Sequence, residues 1–372
     1  MTLDQLHQRT YGAEAQEALP VDLVLYSADS HVIEPADLWA KELPTKLRKE
    51  FEAVTTGLAR RADHRGDPPI FGGGRPDDVE HPGGTDKNER LRALDADGVS
   101  IEVLYGTWGL KLLAIDDPKL EAACVKIYND WLIDFCQAAP DRLIGLAILS
   151  CYDIDGAIAE MARCRDAGMR GISVWQIPRD DLRFSTDHYD RLWAAAQEMG
   201  MPVSLHILSG HGYRKHPEMM PTSTDMTKKL AVCMDSIHDI IFSGVLERFP
   251  GLRVIMAENE IGWLPWVLEQ WDFYVHKGRH HFDYKQEELK LLPSEYFQRQ
   301  MYATFFNDAV GGRLLSWWGQ DNCMWSNDFP HSNSTWPVSR DVIARDLGDL
   351  PQDVVAKIVH GTCANLYDLP LP

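Results

Sequence analysis

The stretch Val21-Asp22-Leu23-Val24-Leu25-Tyr26-Ser27-Ala28 is an apolar run that hands over to Asp29-Ser30-His31. In a strand, residues i and i+2 point to the same face. The run therefore predicts a carboxylate and an imidazole converging on one point at the C-terminal end of a first strand. In a β/α barrel that end is the mouth, where active sites are built. A D-x-H tripeptide alone is a weak signal, and a strand-end turn with a capping aspartate is the plain alternative.

Matching features recur downstream. Pro202-Val203-Ser204-Leu205-His206-Ile207 is a short apolar run with a histidine near its end. Leu252-Arg253-Val254-Ile255-Met256-Ala257-Glu258 ends in a carboxylate, and Asn322-Cys323-Met324-Trp325-Ser326-Asn327-Asp328 ends in an aspartate before Phe329-Pro330-His331. Each puts a metal-ligand side chain where a parallel strand would give way to its loop. Capping of four separate strands does not account for that pattern.

Strand-like runs fall near 23–29, 100–105, 143–149, 171–176, 202–207, 252–258, 300–305 and 322–327. Helix-like stretches lie between them, at 118–138, 153–167, 187–199, 226–247, 262–277 and 308–318. The first starts most clearly, with Asp117 as N-cap and Pro118 at the first helical position. Strands alternating with helices predict a parallel sheet, and eight such units fit a closed (β/α)8 TIM barrel. A doubly wound open sheet is the alternative, but no glycine-rich phosphate loop follows any strand. Residues 1–20 read as an N-terminal extension and 21–372 as one barrel. A Gly/Pro-rich polar insertion at about 55–86 is expected as a flap over the mouth. A second insertion runs from Ser209 to Thr227. A helix at 350–361 and the following Cys363-Ala364-Asn365-Leu366-Tyr367 read as a closing segment.

The 372 residues are 45% hydrophobic, enough for one large α/β domain. No apolar run approaches the roughly 20 residues that a membrane helix needs. Met1 to Ala18 is polar with no apolar leader core, so a cytoplasmic protein is expected. Seven scattered cysteines, without a CxxC pair, read as reduced and buried thiols. A formal charge of −19 argues against nucleic acid or an anionic membrane as partner and leaves a small-molecule substrate.

Five stretches together resemble a known family: Ala28-Asp29-Ser30-His31-Val32-Ile33-Glu34-Pro35, Arg92-Ala93-Leu94-Asp95-Ala96-Asp97-Gly98-Val99, Phe242-Ser243-Gly244-Val245-Leu246-Glu247-Arg248-Phe249-Pro250, Glu258-Asn259-Glu260-Ile261-Gly262-Trp263-Leu264-Pro265 and Ser326-Asn327-Asp328-Phe329-Pro330-His331. The chain is similar to the amidohydrolase-related metalloenzymes, in the branch of the aminocarboxymuconate-semialdehyde and resorcylate decarboxylases. The resemblance implies a distorted (β/α)8 barrel with a divalent metal at its mouth, and a homo-oligomer, most simply a dimer. It matches Asp29 and His31 to the first-strand metal pair, His206 to the fifth-strand ligand and Asp328 to the eighth. Zinc, manganese or ferrous iron would suit these donors, with one ion expected and two possible. Three departures stand out. The first-strand pair is Asp-x-His rather than His-x-His or Glu-x-His. The fourth strand, Gly171 to Gln176, lacks the lysine that bridges two metals in many hydrolytic relatives. The sixth ends in Glu258, where the decarboxylases usually present a histidine.

Three chemistries follow. Hydrolysis comes first: a metal-activated water, with Asp328, Glu258 and His331 as candidate acid–base residues. Decarboxylation of an aromatic or unsaturated acid is the close alternative. Oxygen chemistry at two irons is third; it would recruit Glu258 as a further ligand, with Glu34 or His238. Glu258 as a scaffold carboxylate, His331 as a support for Asp328 and His238 as a surface residue are the plain alternatives. Trp175, His211 and Trp325, near strand ends, are the candidate substrate contacts, and suggest an aromatic or bulky apolar substrate.

Overall fold

The computed structural model describes residues 19–20, 22–63, 81–211, 229–278 and 289–372. Eight strands run in chain order around a barrel, each parallel to the next: β1 Leu25–Val32, β2 Val99–Gly106, β3 Leu143–Ile148, β4 Gly171–Val174, β5 Val203–His206, β6 Val254–Ala257, β7 Met301–Phe305 and β8 Cys323–Trp325. The α-helices among the described residues are α1 Leu38–Glu42, α2 Thr45–Asp63, α3 Lys87–Asp97, α4 Gly109–Leu112, α5 Pro118–Cys136, α6 Ile154–Asp166, α7 Asp190–Met199, α8 Lys229–Phe242, α9 Val245–Arg248, α10 Leu264–Gly278, α11 Pro293–Gln300, α12 Ala309–Leu314, α13 Ser339–Leu347, α14 Gln352–Ala356 and α15 Thr362–Tyr367. The expected barrel is thus present.

Local chemistry sets these boundaries. The Asp117 carboxylate accepts the Lys119 and Leu120 N–H groups ahead of Pro118, as its position predicts. Gly244, at φ 76°, divides the expected 226–247 helix into α8 and α9, because a left-handed residue cannot continue a right-handed turn. The expected 308–318 helix is shorter, ending at Leu314. The last segment is one helical run through a π-turn at Lys357–Gly361, rather than a helix and a separate tail.

The core has two layers. Tyr26, Ala28, Ile101, Val103, Ile144, Leu146, Ile255 and Met324 fill the barrel interior. Cys363, Ala364, Leu366 and Tyr367 of α15 pack against them, so the C-terminal helix floors the barrel. The larger layer lies between strands and helices. All seven cysteines are buried and free of disulfides. Among the described residues, no helix is long and apolar enough to cross a membrane.

One irregularity positions the mouth. Ser27 pairs with Glu102 but Ser30 with Leu104, so β1 carries one extra residue, a bulge. Before it, even-numbered Tyr26 and Ala28 point into the barrel; after it, odd-numbered Asp29 and His31 do. A one-residue slip exchanges the faces of a strand. Here it lets β1 give apolar residues to the interior and two polar ones to the mouth.

The last seam, between short β8 and β1, is closed mainly by loop contacts. His31 N–H donates to the Phe329 carbonyl (2.7 Å) and Asp328 N–H to the Asp29 carbonyl (3.1 Å). Behind it lies a buried polar network. Arg90 Nε of α3 is 2.6 Å from Glu102 Oε2, and its Nη1 is 2.5 Å from the His31 carbonyl. Asn327 donates to Glu102 and accepts the Ser30 hydroxyl at 2.8 Å.

Residues 1–18, within the expected extension, lie outside the described residues, as do 64–80 of the expected flap. Of the expected insertion, 55–63 belong to helix α2, and Pro82–Gly84 is tied to the chain leaving β1, with Ile33 N–H donating to the Gly84 carbonyl at 2.8 Å. Most of the second insertion, 212–227, is likewise outside.

Arg90 and Glu102 are both essentially inaccessible. Arg90→Met should leave the Glu102 carboxylate buried without its partner, and destabilise the fold by about 3–5 kcal/mol. Urea unfolding is the measurement; a change under about 1 kcal/mol would show that the seam does not depend on this pair.

Candidate metal centre

Asp29 and His31 come from β1, His206 ends β5, Glu258 follows β6 and Asp328 follows β8. The barrel brings all five together. His31 Nδ1 is 3.2 Å from the Gly106 carbonyl and His206 Nδ1 is 2.8 Å from the Ile207 carbonyl. A carbonyl only accepts, so each Nδ1 carries the proton and each Nε2 is left with a lone pair. Those two Nε2 atoms face each other at 3.0 Å.

Around them, Asp29 Oδ1 is 3.6 Å from both Nε2 atoms. Glu258 Oε2 is 3.7 Å from His31 Nε2 and 3.4 Å from that of His206. Asp328 Oδ1 lies 3.6 Å from His31 Nε2. Asp29 Oδ1 and Asp328 Oδ2 are buried without a hydrogen-bond partner. Ligands about 2.1 Å from one ion are separated by about 3.0–3.4 Å in octahedral or tetrahedral geometry. The donor types, their spacing and the two orphaned oxygens therefore fit a divalent cation.

The supporting shell is specific. Thr304 of β7 donates its hydroxyl to Asp29 Oδ2 (2.9 Å) and accepts the Glu258 backbone N–H (2.8 Å). Glu258 and Asp328 both adopt left-handed backbone, at φ 57° and 56°. That conformation costs a non-glycine residue about 1–2 kcal/mol and is found where the surroundings impose it.

His331 lies beside the cluster, its ring 4.1 Å from that of His31. Its Nδ1 is 2.9 Å from Asp328 Oδ1 and its Nε2 is 3.1 Å from the Thr107 hydroxyl. Burial pushes the Asp328 carboxyl up to about 7. Burial opposes charge on His331, yet Asp328, Glu258 and Asp29 together carry it up to about 9. His31 is held well below the usual histidine range, first by burial and then by its histidine neighbours. Burial also opposes charge on His206, but Asp29 and Glu258 outweigh it and raise that imidazole.

Other expected participants are placed elsewhere. The buried Glu34 carboxylate accepts the Trp108 and Gly109 N–H groups, at 2.9 and 2.7 Å. His238, on α8, stacks on Phe242 at 4.2 Å, partly buried rather than on an open surface. Among the described residues, the potential ligands form two groups that share His31, one with Glu258, Asp328 and His331 and one with Asp29 and His206, and neither Glu34 nor His238 belongs to them. Trp325 does not reach the mouth: alternation along β8 sends Met324 inward and Trp325 into the strand–helix layer. Trp175 is fully buried in that same layer, donating to the Tyr189 hydroxyl at 2.8 Å. His211 is buried edge-on to Trp175, with Nε2 3.2 Å from the Tyr152 hydroxyl. Sequence reasoning missed Thr304 and Thr107. A hydroxyl at the end of a recognised strand was the only signal for Thr304, and threonines are common in strands.

Residues 109–369 match the family model described as Amidohydrolase. The chain belongs to the amidohydrolase family. It is similar to gamma-resorcylate decarboxylase of Rhizobium radiobacter, 23% identical over 270 residues, spanning 66% of this chain and 77% of that one. It is similar also to 2-amino-3-carboxymuconate-6-semialdehyde decarboxylase of Dictyostelium discoideum, 25% identical over 184 residues, spanning 47% and 48% of the two chains. Among solved structures, a dihydroxybenzoic acid decarboxylase from Polaromonas sp., with bound manganese and the inhibitor 2-nitroresorcinol, superposes with a TM-score of 0.67. That match has 19% identity and covers 93% of this chain and 97% of the other.

Two outcomes test the centre. His206→Ala should fold but bind no stoichiometric metal; full occupancy by elemental analysis would remove His206 from the ligand set. Thr304→Val should keep the ligands yet weaken metal affinity about 10- to 100-fold, as loss of an outer hydrogen bond does. An unchanged affinity would show that Thr304 does not orient Asp29.

Proposed function

We propose that this chain is a divalent-metal-dependent, non-oxidative decarboxylase of an aromatic carboxylic acid. The observation that carries the reading is a division of labour at the mouth. Glu258 Oε2 faces both histidine Nε2 atoms, while His331, in the same candidate ligand group, has its Nδ1 engaged by Asp328. Chemistry read from the sequence placed hydrolysis first, with Glu258 as a candidate base. Once Glu258 is counted as a ligand, that argument weakens. The two decarboxylases among the relatives support the alternative instead.

Asp29, His31, His206, Glu258 and Asp328 would hold the ion. When bound, it supplies a Lewis acid that grips substrate oxygens and offsets their charge. The sharing of His31 by the two candidate ligand groups and the manganese in the similar structure support a single manganese or zinc over a pair of irons. His331 and Asp328 hold a proton between Nδ1 and Oδ1. They deliver it to the ring carbon bearing the carboxylate. The carbon–carboxylate bond then breaks, its electron pair restores the ring, and carbon dioxide leaves. Thr107 fixes the far ring nitrogen of His331, whose side chain is one-quarter exposed and so can be reprotonated from solvent.

Protein loaded with manganese should release carbon dioxide from 2,6-dihydroxybenzoate or a related ortho-hydroxybenzoate. In deuterium oxide, one deuterium should enter the vacated ring carbon. Turnover of aryl amides or lactones with no carbon dioxide from any acid in the panel would reject the proposal in favour of hydrolysis.

Two variants separate the roles. His331→Asn should retain metal and lose about 100-fold or more in turnover, as removal of a positioned acid does. Glu258→Gln should lose metal affinity together with activity. If Glu258→Gln kept its metal and lost only turnover, Glu258 would be an acid–base residue, and the hydrolytic reading would regain the lead.

A further inference from the structure

Glu34 is a buried carboxylate that the mechanism above does not use. It stands two residues beyond β1 and is 1% exposed. Its Oε2 accepts the Trp108 N–H at 2.9 Å and its Oε1 the Gly109 N–H at 2.7 Å. The neighbouring loop is shaped around it. A Cβ at Gly106 would stand 2.6 Å from Glu34 Oε1, and one at Gly109 would stand 2.8 Å from it. Neither glycine has a positive φ, so close approach rather than backbone freedom accounts for both. One carboxylate and two glycines thus join the chain leaving β1 to the chain leaving β2.

The clamped turn carries Thr107. Its own N–H donates to the Val32 carbonyl at 3.1 Å, which fixes how the chain enters the residue. The next N–H, that of Trp108, is held by Glu34, which fixes how the chain leaves it. With both peptide planes held, a β-branched side chain has few rotamers left. The hydroxyl is thereby directed at His331, whose Nε2 lies 3.1 Å away. At the other end of that ring, Nδ1 meets Asp328 Oδ1 at 2.9 Å, and the ring centre lies 4.1 Å from that of His31. A hydroxyl both donates and accepts, so it holds Nε2 in either role. Gly106, whose carbonyl orients His31, is fixed separately by its pairing with Val32.

We propose that Glu34 is a positioning residue for proton delivery: through the Trp108 and Gly109 N–H groups it fixes the turn from which Thr107 orients His331. This rests on the decarboxylase reading given above. The plain alternative is a cap, since these N–H groups open helix α4 and need acceptors in any case. A cap alone would stabilise the fold without acting on one step of the reaction. The path from Glu34 through Trp108 and Thr107 to His331 separates the two, because it bypasses Asp29, His31, His206, Glu258 and Asp328. Loosening it acts on the proton donor and leaves the ion in place. Proton delivery is completed only in the transition state, so the loss appears in kcat and not in KM.

The test is a double-variant cycle in manganese-loaded protein, with folding and metal content measured in each form. Glu34→Gln keeps the volume but turns an NH2 group toward one of the two amides. Thr107→Val keeps the shape and removes the hydroxyl. Each should lower kcat about 10-fold, the scale of one hydrogen bond, for 2,6-dihydroxybenzoate or whichever ortho-hydroxybenzoate the wild type decarboxylates. KM and metal content should stay nearly constant. The double variant should lose little more than the weaker single variant, because both changes break one path. In zinc-loaded protein carrying ring-15N histidine, the His331 Nε2 signal should shift the same way in both single variants. Wild-type kcat or an unmoved His331 signal in Glu34→Gln, or losses that multiply to about 100-fold in the double variant, would overturn the proposal and leave the decarboxylase reading intact. Loss of metal in Glu34→Gln would also overturn it, by assigning the residue to the ion. If Glu34→Gln does not fold, Glu34→Asp, which withdraws the same charge by one methylene, takes its place and the same outcomes decide. A wild type that releases carbon dioxide from no ortho-hydroxybenzoate would sink the decarboxylase reading and this inference together.

Discussion

The structure turns on two lone pairs that face each other. His31 and His206 each commit Nδ1–H to a main-chain carbonyl, which leaves each Nε2 as an acceptor, 3.0 Å apart. Two acceptors at that distance repel, and no described donor separates them. Adding the oxygens of Asp29, Glu258 and Asp328 within 3.4 to 3.7 Å worsens the repulsion. A protein interior tolerates such a gathering of acceptors only if an electrophile occupies the centre. A proton could relieve one pair of atoms, but not five donors brought together from four strands. The geometry is therefore that of a binding site held ready by its scaffold, with the free energy of folding opposed by the site and offset by the ion.

That opposition explains the surrounding architecture. Left-handed backbone at Glu258 and Asp328 would relax if the flanking chain allowed it. Thr304 restrains the first through its hydroxyl, and the Asp29 carbonyl restrains the second through the Asp328 N–H. The bulge in β1 is part of the same arrangement. Without the extra residue between Ser27 and Ser30, the faces of the strand would keep their phase, and Asp29 and His31 would turn into the strand–helix layer. Arg90 then anchors the strand from behind, through Glu102 and the His31 carbonyl. Ligand position thus depends on a polar network that reaches the site only through the main chain of His31.

Much of this was legible in the sequence, for a definite reason. Strand ends in a parallel barrel converge by construction, so ligand-type residues closing four apolar runs located the centre without any side-chain geometry. The bulge was not legible. The i, i+2 argument for Asp29 and His31 holds within the mouth, but nothing in the letters shows that Tyr26 and Ala28, of opposite parity, share their direction. Trp175 and Trp325 misled because proximity to a strand end was taken for exposure at the mouth. Alternation alone decides which neighbour faces inward, and a one-residue error in phase reverses the answer.

The glutamate at position 258 shows how one substitution redistributes the work of a site. The resemblance implies a histidine there in decarboxylating relatives, a neutral donor able to carry a proton. A carboxylate binds a dication more strongly, but adds a negative charge exactly where an anionic substrate must approach, and it surrenders the proton-carrying role. The second loss needs an answer within the same mouth. On the proposed reading the proton-carrying role falls to His331, whose Nδ1 is 2.9 Å from Asp328 Oδ1. On this argument Glu258 and His331 belong together: a glutamate ligand is compatible with an acidic substrate only where another group beside the cluster carries the proton.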